Sequence, residues 1–315
     1  MTELLMSFVI PVFNAENDIG RCLCAIQNLQ CPARAYEVLI IDNGSTDRTH
    51  QIIHELGFEF QVIPRVHVSA LRNRGAAIAQ SDYLAFVDAD VEVQPNWLLN
   101  GLRAFEEPQV VASGCFPGIP AEPTWVQHTW DIVQRGPQHS LTIRPVSWLP
   151  SMNLIVRRDA FMAVGGFNEQ LETAEDVDLC YRLGQYGTIV CNPAMEAIHW
   201  GEARNLRTFW RKEVWRGKGN LKGVLSHGLN WDEVPSLGYP LYIMCCVLLI
   251  ILGLCVDLWS QHLLMTPLGL ILLLLPALVL AIRTAYLATR PAAILRLSCL
   301  YVIYGLARAY AVVKR

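Results

Sequence analysis

Apolar runs recur along the first third of the chain, and each ends in a polar turn. Residues 6–12, 37–42, 59–63 and 83–87 read as strands. Between them, 17–29, 47–56, 69–80 and 95–106 read as helices. The run Tyr36-Glu37-Val38-Leu39-Ile40-Ile41 is continuous rather than alternating, as expected of a strand buried on both faces. Asp47-Arg48-Thr49 follows a Ser/Thr-rich cap, and Pro95 sits in a first-turn position, so both mark helix starts. Strand and helix in alternation predict an α/β fold with a mostly parallel sheet and helices on both faces.

The pattern then changes twice. Residues 111–150 carry Pro117, Pro120, Pro123, Pro137, Pro145 and Pro150, with Trp125, Trp130 and Trp148 among them. This stretch is expected to be irregular, a lid and an acceptor-side wall. Regular structure returns over 151–200 and ends at Ala197-Ile198-His199-Trp200. Beyond it, Arg204, Arg207, Arg211, Lys212, Arg216, Lys218 and Lys222 are mixed with Phe209, Trp210, Trp215 and Leu221. Basic and aromatic residues beside an apolar segment read as an interfacial helix on anionic lipid, the other reading being a solvated surface helix.

Val234–Val256 and Leu258–Ile282 contain no Asp, Glu, Lys or Arg, and each exceeds the ~20 residues that cross a bilayer. The linker near 257–266 has no Lys or Arg, whereas Arg283, Arg290 and Arg296 follow the second span. The positive-inside rule puts both flanks of this hairpin in the cytoplasm. In Ala292–Val313, Arg296, Tyr304, Arg308, Lys314 and Arg315 share one helical arc. An interfacial helix is preferred there over a third crossing. The expected domains are therefore 1–201, catalytic, with a nucleotide half 1–110 and an acceptor half 111–201; 202–234, basic and interfacial; 235–283, a transmembrane hairpin; and 284–315, an interfacial or third membrane helix.

Composition agrees with this division. Hydrophobic residues make up 53% of the chain and mean hydropathy is +0.30, with the excess after residue 235. A net charge of -3 gives no case for a nucleic-acid partner. Met1–Ser7 contains Glu3 and no basic region, so it does not read as a signal peptide. A cytoplasmic catalytic part at the inner (cytoplasmic) membrane is expected, and the ten scattered cysteines are expected to be reduced thiols.

The chemistry centres on Asp88-Ala89-Asp90, at the exit of the strand Tyr83–Val87. Residues i and i+2 of a strand share a face, and two carboxylates there repel unless a cation lies beside them. A divalent metal carrying a diphosphate is one solution, because hard cations take oxygen ligands. Glu175, Asp176 and Asp178 form a second acidic cluster at a probable helix start. Crowding should raise at least one pKa, which suits a general base, although acids at a helix N-terminus are also simply favoured by the dipole.

Taken in order, Val9-Ile10-Pro11-Val12-Phe13-Asn14, Ile41-Asp42-Asn43-Gly44-Ser45-Thr46-Asp47, Arg72-Asn73-Arg74-Gly75, Asp88-Ala89-Asp90, Asn153–Arg158, Gly165-Gly166-Phe167-Asn168-Glu169 and Glu175-Asp176-Val177-Asp178-Leu179 resemble the family 2 glycosyltransferases. The resemblance covers about residues 6–185 and implies the GT-A fold, a Rossmann-like arrangement, with a C-terminal α-helical membrane segment here. It implies a nucleotide-sugar donor held by Pro11, Phe13, Asn14, Asp42, Asn43 and Asp88, with Asp42 on the base and Asp88 on the ribose. Asn43 departs from an Asp found in many members. It also implies Mg²⁺ or Mn²⁺ on Asp90, with His199 either a further ligand or a core histidine. Arg72 and Arg74 would hold the diphosphate or lie on a helix surface. Asp176 would be the base with Glu175 beside it, and Trp148, Gly166, Phe167 and Asp178 would face the acceptor. Direct displacement would make the enzyme inverting. A lipid-linked or glycan acceptor and membrane lipids are the expected partners; a second copy of the chain or a glycan-assembly complex stays open. Processive synthases usually carry Gln-x-x-Arg-Trp, and Phe209–Arg216 lacks the Gln, so single transfer is preferred over a processive polysaccharide synthase or a silent scaffold.

Overall fold

A computed structural model describes residues 4–32, 35–135, 142–218 and 234–314, without the side chains of 234–237. The chain folds into two compact units: Met1–Pro120 with His139–Glu202, and Ala121–Gln138 with Ala203–Arg315.

The first unit opens with the expected alternation: β1 (Met6–Val12), α1 (Ile19–Gln27), β2 (Tyr36–Asp42), α2 (Thr49–Glu55), β3 (Phe60–Val62), α3 (Val68–Ile78) and β4 (Tyr83–Val87). Next come β5 (Val91–Val93), α4 (Trp97–Arg103) and β6 (Val110–Gly114). In the second unit lies α5 (Trp125–Arg135). The first resumes with β7 (Arg144–Pro145), β8 (Asn153–Arg157), α6 (Arg158–Ala163), α7 (Glu175–Leu183), β9 (Thr188–Cys191) and β10 (Ala197–His199). Eight strands form one sheet in the order β3-β2-β1-β4-β8-β6-β9-β7. β3, β2, β1 and β4 are mutually parallel, while β8 runs antiparallel to both β4 and β6. The connections reverse direction at β1, with β2 on one side and β4 on the other. In open α/β sheets such a switch point leaves a crevice beyond the carboxyl ends of the strands.

Every residue of β1 is buried, and its sequence is apolar except for Ser7, whose hydroxyl donates to Glu37 at 2.6 Å. Phe8 meets Trp97 and Tyr36 at ring centroid distances of 5.6 Å each. One polar group fastens the antiparallel half. Asn153, fully buried at the start of β8, accepts from Trp97 Nε1 at 2.6 Å and donates to the carbonyls of Cys115 and Met195. Beyond β4, β5 pairs with β10 in a separate two-stranded sheet that sets His199 opposite Val91, one residue after Asp90.

The second unit is helical: α5, α8 (Leu206–Gly217), α9 (Val234–Ser260), α10 (Met265–Leu287) and α11 (Ile294–Val313). Helix α5 corrects the expectation of an irregular wall over 111–150. Val126, Trp130 and Val133 recur at helical spacing, and Val126 and Trp130 are buried in a cluster with Phe209 and Leu300. Residues 136–141, and residues 219–233 of the expected basic segment, with Leu221 and Lys222, lie outside the described residues. Three stretches, Gly238–Ser260, Met265–Leu287 and Pro291–Val313, are long and apolar enough to cross a membrane. Asp257 closes the turn between α9 and α10: its carboxylate accepts from the backbone N–H groups of Leu264, Met265 and Thr266.

Replacing Asn153 by Ala leaves the buried Trp97 N–H without its acceptor, at about 1–3 kcal/mol for such a group, and takes a donor from the carbonyls of Cys115 and Met195. Asn153→Ala should lower the thermal midpoint of the detergent-solubilised protein clearly; an unchanged midpoint would show that this network does not hold β8.

Candidate active site

The exits of β1, β2 and β4 enclose a cleft of about 290 Å³ in the first unit, lined by Pro11, Phe13, Asn14, Asp18, Asn43, Leu71, Asp88 and Asp90 among others. The loops at its rim are tied together. Asn14, at φ +46°, accepts from Thr46 N through its side chain and donates its own N–H to Ser45 Oγ. Asn43 pairs its amide with Val66, donating to the carbonyl at 3.0 Å and accepting from the N–H at 3.1 Å. Phe13 is 58% exposed, leaving an aromatic face open to a ligand.

Asp42, expected on the base, is turned into its own loop. It is fully buried, and its oxygens accept from Gly44 N, Ser45 N and Ser45 Oγ, with His50 Nε2 at 3.0 Å. Burial alone would raise its pKa, but the hydrogen bonds from Ser45 and His50 hold it below the usual value. The group fixes the turn after β2, and its neighbour Asn43 is the one on the cleft.

Arg72, expected on the diphosphate, is engaged by two carboxylates of the protein. Its guanidinium is buried, donating from Nη2 to Asp88 Oδ1 at 2.7 Å and from Nη1 to Glu175 Oε1 at 2.9 Å. Both forks are thus engaged by carboxylates. Arg74 donates to Gln61 on an exposed face of α3 and does not line the cleft.

Asp90 and His199 do meet. Asp90 Oδ2 lies 3.2 Å from His199 Nε2, and Glu202 Oε1 lies 3.2 Å from Nδ1 of the same ring. Burial would depress the His199 pKa, but hydrogen bonds to Asp90 and Glu202 raise it to about 9. A Cβ at Gly201 would clash with Asp90 Oδ2 and lie 2.9 Å from His199 Nε2, so only glycine lets the Asp90 carboxylate come this close to the ring. Two neighbouring ligands of an octahedral cation at ~2.1 Å stand about 3 Å apart. The spacing, with Asp90 partly exposed, therefore fits a hard divalent ion held by one carboxylate and one imidazole, the rest of its shell coming from phosphate and water. Among the described residues no group of three or more His, Cys, Asp or Glu could hold a metal without such help.

The acidic cluster opens α7. Ala174, at φ +66°, turns the chain so that Glu175, Asp176 and Asp178 fall in the first turn. Burial and then the charge of Glu175 raise Asp176 to about 7. Asp178 is not free for an acceptor: it is buried and paired with Arg182, which also donates to the carbonyls of Val164 and Gly166. Gly166 and Phe167 are structural too. Gly166 is at φ +71° against Asn73, and Phe167 is buried between Phe86 and Phe161. Of the four residues expected on the acceptor side, Trp148 alone presents an open ring, 38% exposed and edge-on to Phe116. Sequence reasoning missed Asp18, Gly201 and Glu202; the carboxylate three residues after His199 was the available signal for the last.

The profile of Glycosyl transferase family 2 matches residues 7–165, half of the chain. Glycosyltransferase AglE of Haloferax volcanii is 27% identical over 247 residues, covering 75% of this chain and 80% of that protein. Beta-monoglucosyldiacylglycerol synthase of Nostoc sp. is 29% identical over 193 residues, 56% of this chain and 41% of that protein. Pre-mycofactocin glycosyltransferase of Mycobacterium tuberculosis is 30% identical over 193 residues, 58% of this chain and 39% of that protein. The chain thus spans less than half of the last two. Among solved structures, mannosyltransferase PcManGT from Pyrobaculum calidifontis, in complex with GDP-Man and Mn²⁺, shares the fold, with TM-score 0.60, 15% identity and coverage of 98% of this chain and 87% of that one.

Asp176 carries a stability cost with a defined pH window. Below its ordinary pKa of 3.8 folded and unfolded chains both hold the proton; between there and about 7 only the folded chain does. Folded-state stability is therefore lost as pH rises through that interval. Asp176→Asn should melt higher than the parent at pH 8, with the gap closing toward pH 4. An equal or lower midpoint at pH 8 would show that the carboxylate is not strained.

Proposed function

This chain belongs to glycosyl transferase family 2, and on that premise we propose that it is a metal-dependent, inverting transferase moving one sugar from a nucleoside-diphosphate donor to a lipid-linked acceptor at the cytoplasmic face of the inner membrane. The observation that carries the reading is the pairing of His199 with Asp90, which lines the cleft together with Phe13, Asn43 and Asp88.

The nucleoside would lie in that cleft, its base against Phe13 and Asn43 and its ribose on Asp88. Asp90 and His199 would hold Mg²⁺ or Mn²⁺, which when bound supplies Lewis-acid stabilisation of the leaving diphosphate. Asp176 is the base. A carboxylate raised to about 7 is well matched to take a hydroxyl proton at neutral pH. The oxygen it activates forms the new bond at the anomeric carbon as the bond to the diphosphate breaks on the opposite side, which inverts that centre.

The lipid-linked acceptor is supported by the second unit. One relative is named for making a glucosylated diacylglycerol. Helices α9 and α10 suit a transmembrane hairpin, which brings the acceptor headgroup to the membrane plane. Helix α8 exposes Arg207 and Arg211 and keeps Trp215 46% exposed, a composition suited to an anionic lipid surface.

Packing of α8 on α11 favours an interfacial place for α11. Glu213 of α8, fully buried, pairs with Arg308 of α11 at 2.9 Å and with Arg216 at 2.7 Å. A Cβ at Gly217 would stand 2.7 Å from that of Ala311, while Phe209 clusters with Leu300. A helix with four cationic side chains between Arg207 and Arg216 cannot accompany α11 into hydrocarbon, where each costs about 2.5–3.5 kcal/mol on insertion scales. Single cysteines placed at Ser260 and after Val313 should label from opposite sides of sealed membranes; labelling of both from one side would remove this topology.

Detergent-purified protein with Mn²⁺ should release one nucleoside diphosphate from a panel of nucleotide sugars. Asp90→Ala should abolish the release, and Asp176→Asn should slow transfer by about 100-fold or more. No release from any donor, together with no metal-dependent nucleotide binding, would overturn the proposal.

A further inference from the structure

The turn after β10 is built more firmly than a loop end requires. His199 N donates to Gly118 O and Trp200 N to Asp90 O, each at 2.9 Å. The Trp200 indole is held at both ends: Nε1 donates to Glu92 Oε2 at 2.8 Å, and the Arg21 guanidinium lies 3.9 Å above the ring. These contacts fix the backbone between His199 and Glu202. Glu202, 8% exposed, then folds back so that Oε1 reaches His199 Nδ1, while the glycine between them lets Asp90 Oδ2 approach Nε2 on the other side of the ring.

A histidine binds a cation through a nitrogen lone pair, and the hydrogen bond at its other nitrogen decides which lone pair is available. From this geometry we infer that Glu202 is a positioning residue for the cation site: it accepts the Nδ1–H of His199 and so presents the Nε2 lone pair beside Asp90 Oδ2. Nothing in the role needs Glu202 to touch the donor or the cation. Its work is to remove the choice of tautomer and the swing of the ring before the ion arrives. The inference rests on Asp90 and His199 being the cation ligands.

The test is Mn²⁺ affinity, read from the loss of the free-ion electron paramagnetic resonance signal. Mn²⁺ is titrated into the full-length protein in detergent with saturating UDP and, separately, GDP. Glu202→Met keeps the buried volume and drops the acceptor, so it should weaken Mn²⁺ binding by about 10- to 100-fold, the range for such outer partners. Glu202→Gln keeps an acceptor oxygen and should stay within a few-fold of the parent. A merely structural glutamate would not give this split between two side chains of similar size. Parent-like Mn²⁺ affinity in Glu202→Met, while Asp90→Ala has lost it, would overturn the inference and leave the cation site standing. Equal loss in Glu202→Gln and Glu202→Met would also overturn it. Mn²⁺ affinity unchanged in Asp90→Ala would instead remove the cation site, and the inference with it.

Discussion

The buried guanidinium of Arg72 is the interaction on which the rest of the site depends. Its two forks join Asp88, at the exit of β4, to Glu175, at the start of α7, across 103 residues of sequence. Charges taken out of water are tolerable only when they are paired and hydrogen-bonded, and a fork binding two carboxylates meets that requirement with directed geometry. The clamp lets the chain gather Asp88, Glu175 and Asp176 around one point. It also leaves Asp176 as the acid without a guanidinium of its own, raised by burial and by Glu175. Asp88, Glu175 and Asp176 are thereby parts of one electrostatic unit.

Around that unit the fold divides its labour. The parallel strands β3-β2-β1-β4 create the crevice, and short polar exits rather than long loops line it. The small β5–β10 sheet lies apart from the main one and carries His199 back to Asp90. The carboxylates that hold turns, Asp42 and Asp178, are saturated by local donors, whereas Asp90 keeps part of its surface open. Saturation by local donors thus distinguishes Asp42 and Asp178 from Asp90.

Much of this was legible in the sequence, and for a physical reason. Buried strands are mainly apolar, so β1 and β4 announced themselves, as did β2 although its first four residues are only half-buried, and the acids at the exits of β2 and β4 marked the crevice. Asp42 and Asp178 were harder. Whether a strand-end or helix-start carboxylate faces a ligand or its own turn depends on which N–H groups and cations surround it, and sequence spacing does not report that. Arg72 looked like a phosphate contact because its two acidic partners arrive from distant segments. Helix α5 was hidden by prolines on either side, although Val126, Trp130 and Val133 carried its period. Glu202 lay just beyond the last motif, and its meaning needed the fold of one turn.

The central claim is that Asp90 and His199 share one cation at the diphosphate end of the cleft. An anomalous-difference map from crystals of the full-length protein grown with Mn²⁺ and a nucleoside diphosphate tests it most directly. The account predicts one Mn²⁺ peak within bonding distance of both Asp90 Oδ2 and His199 Nε2. A nucleotide bound in the cleft with no peak there, or with its cation held by other residues, would contradict it.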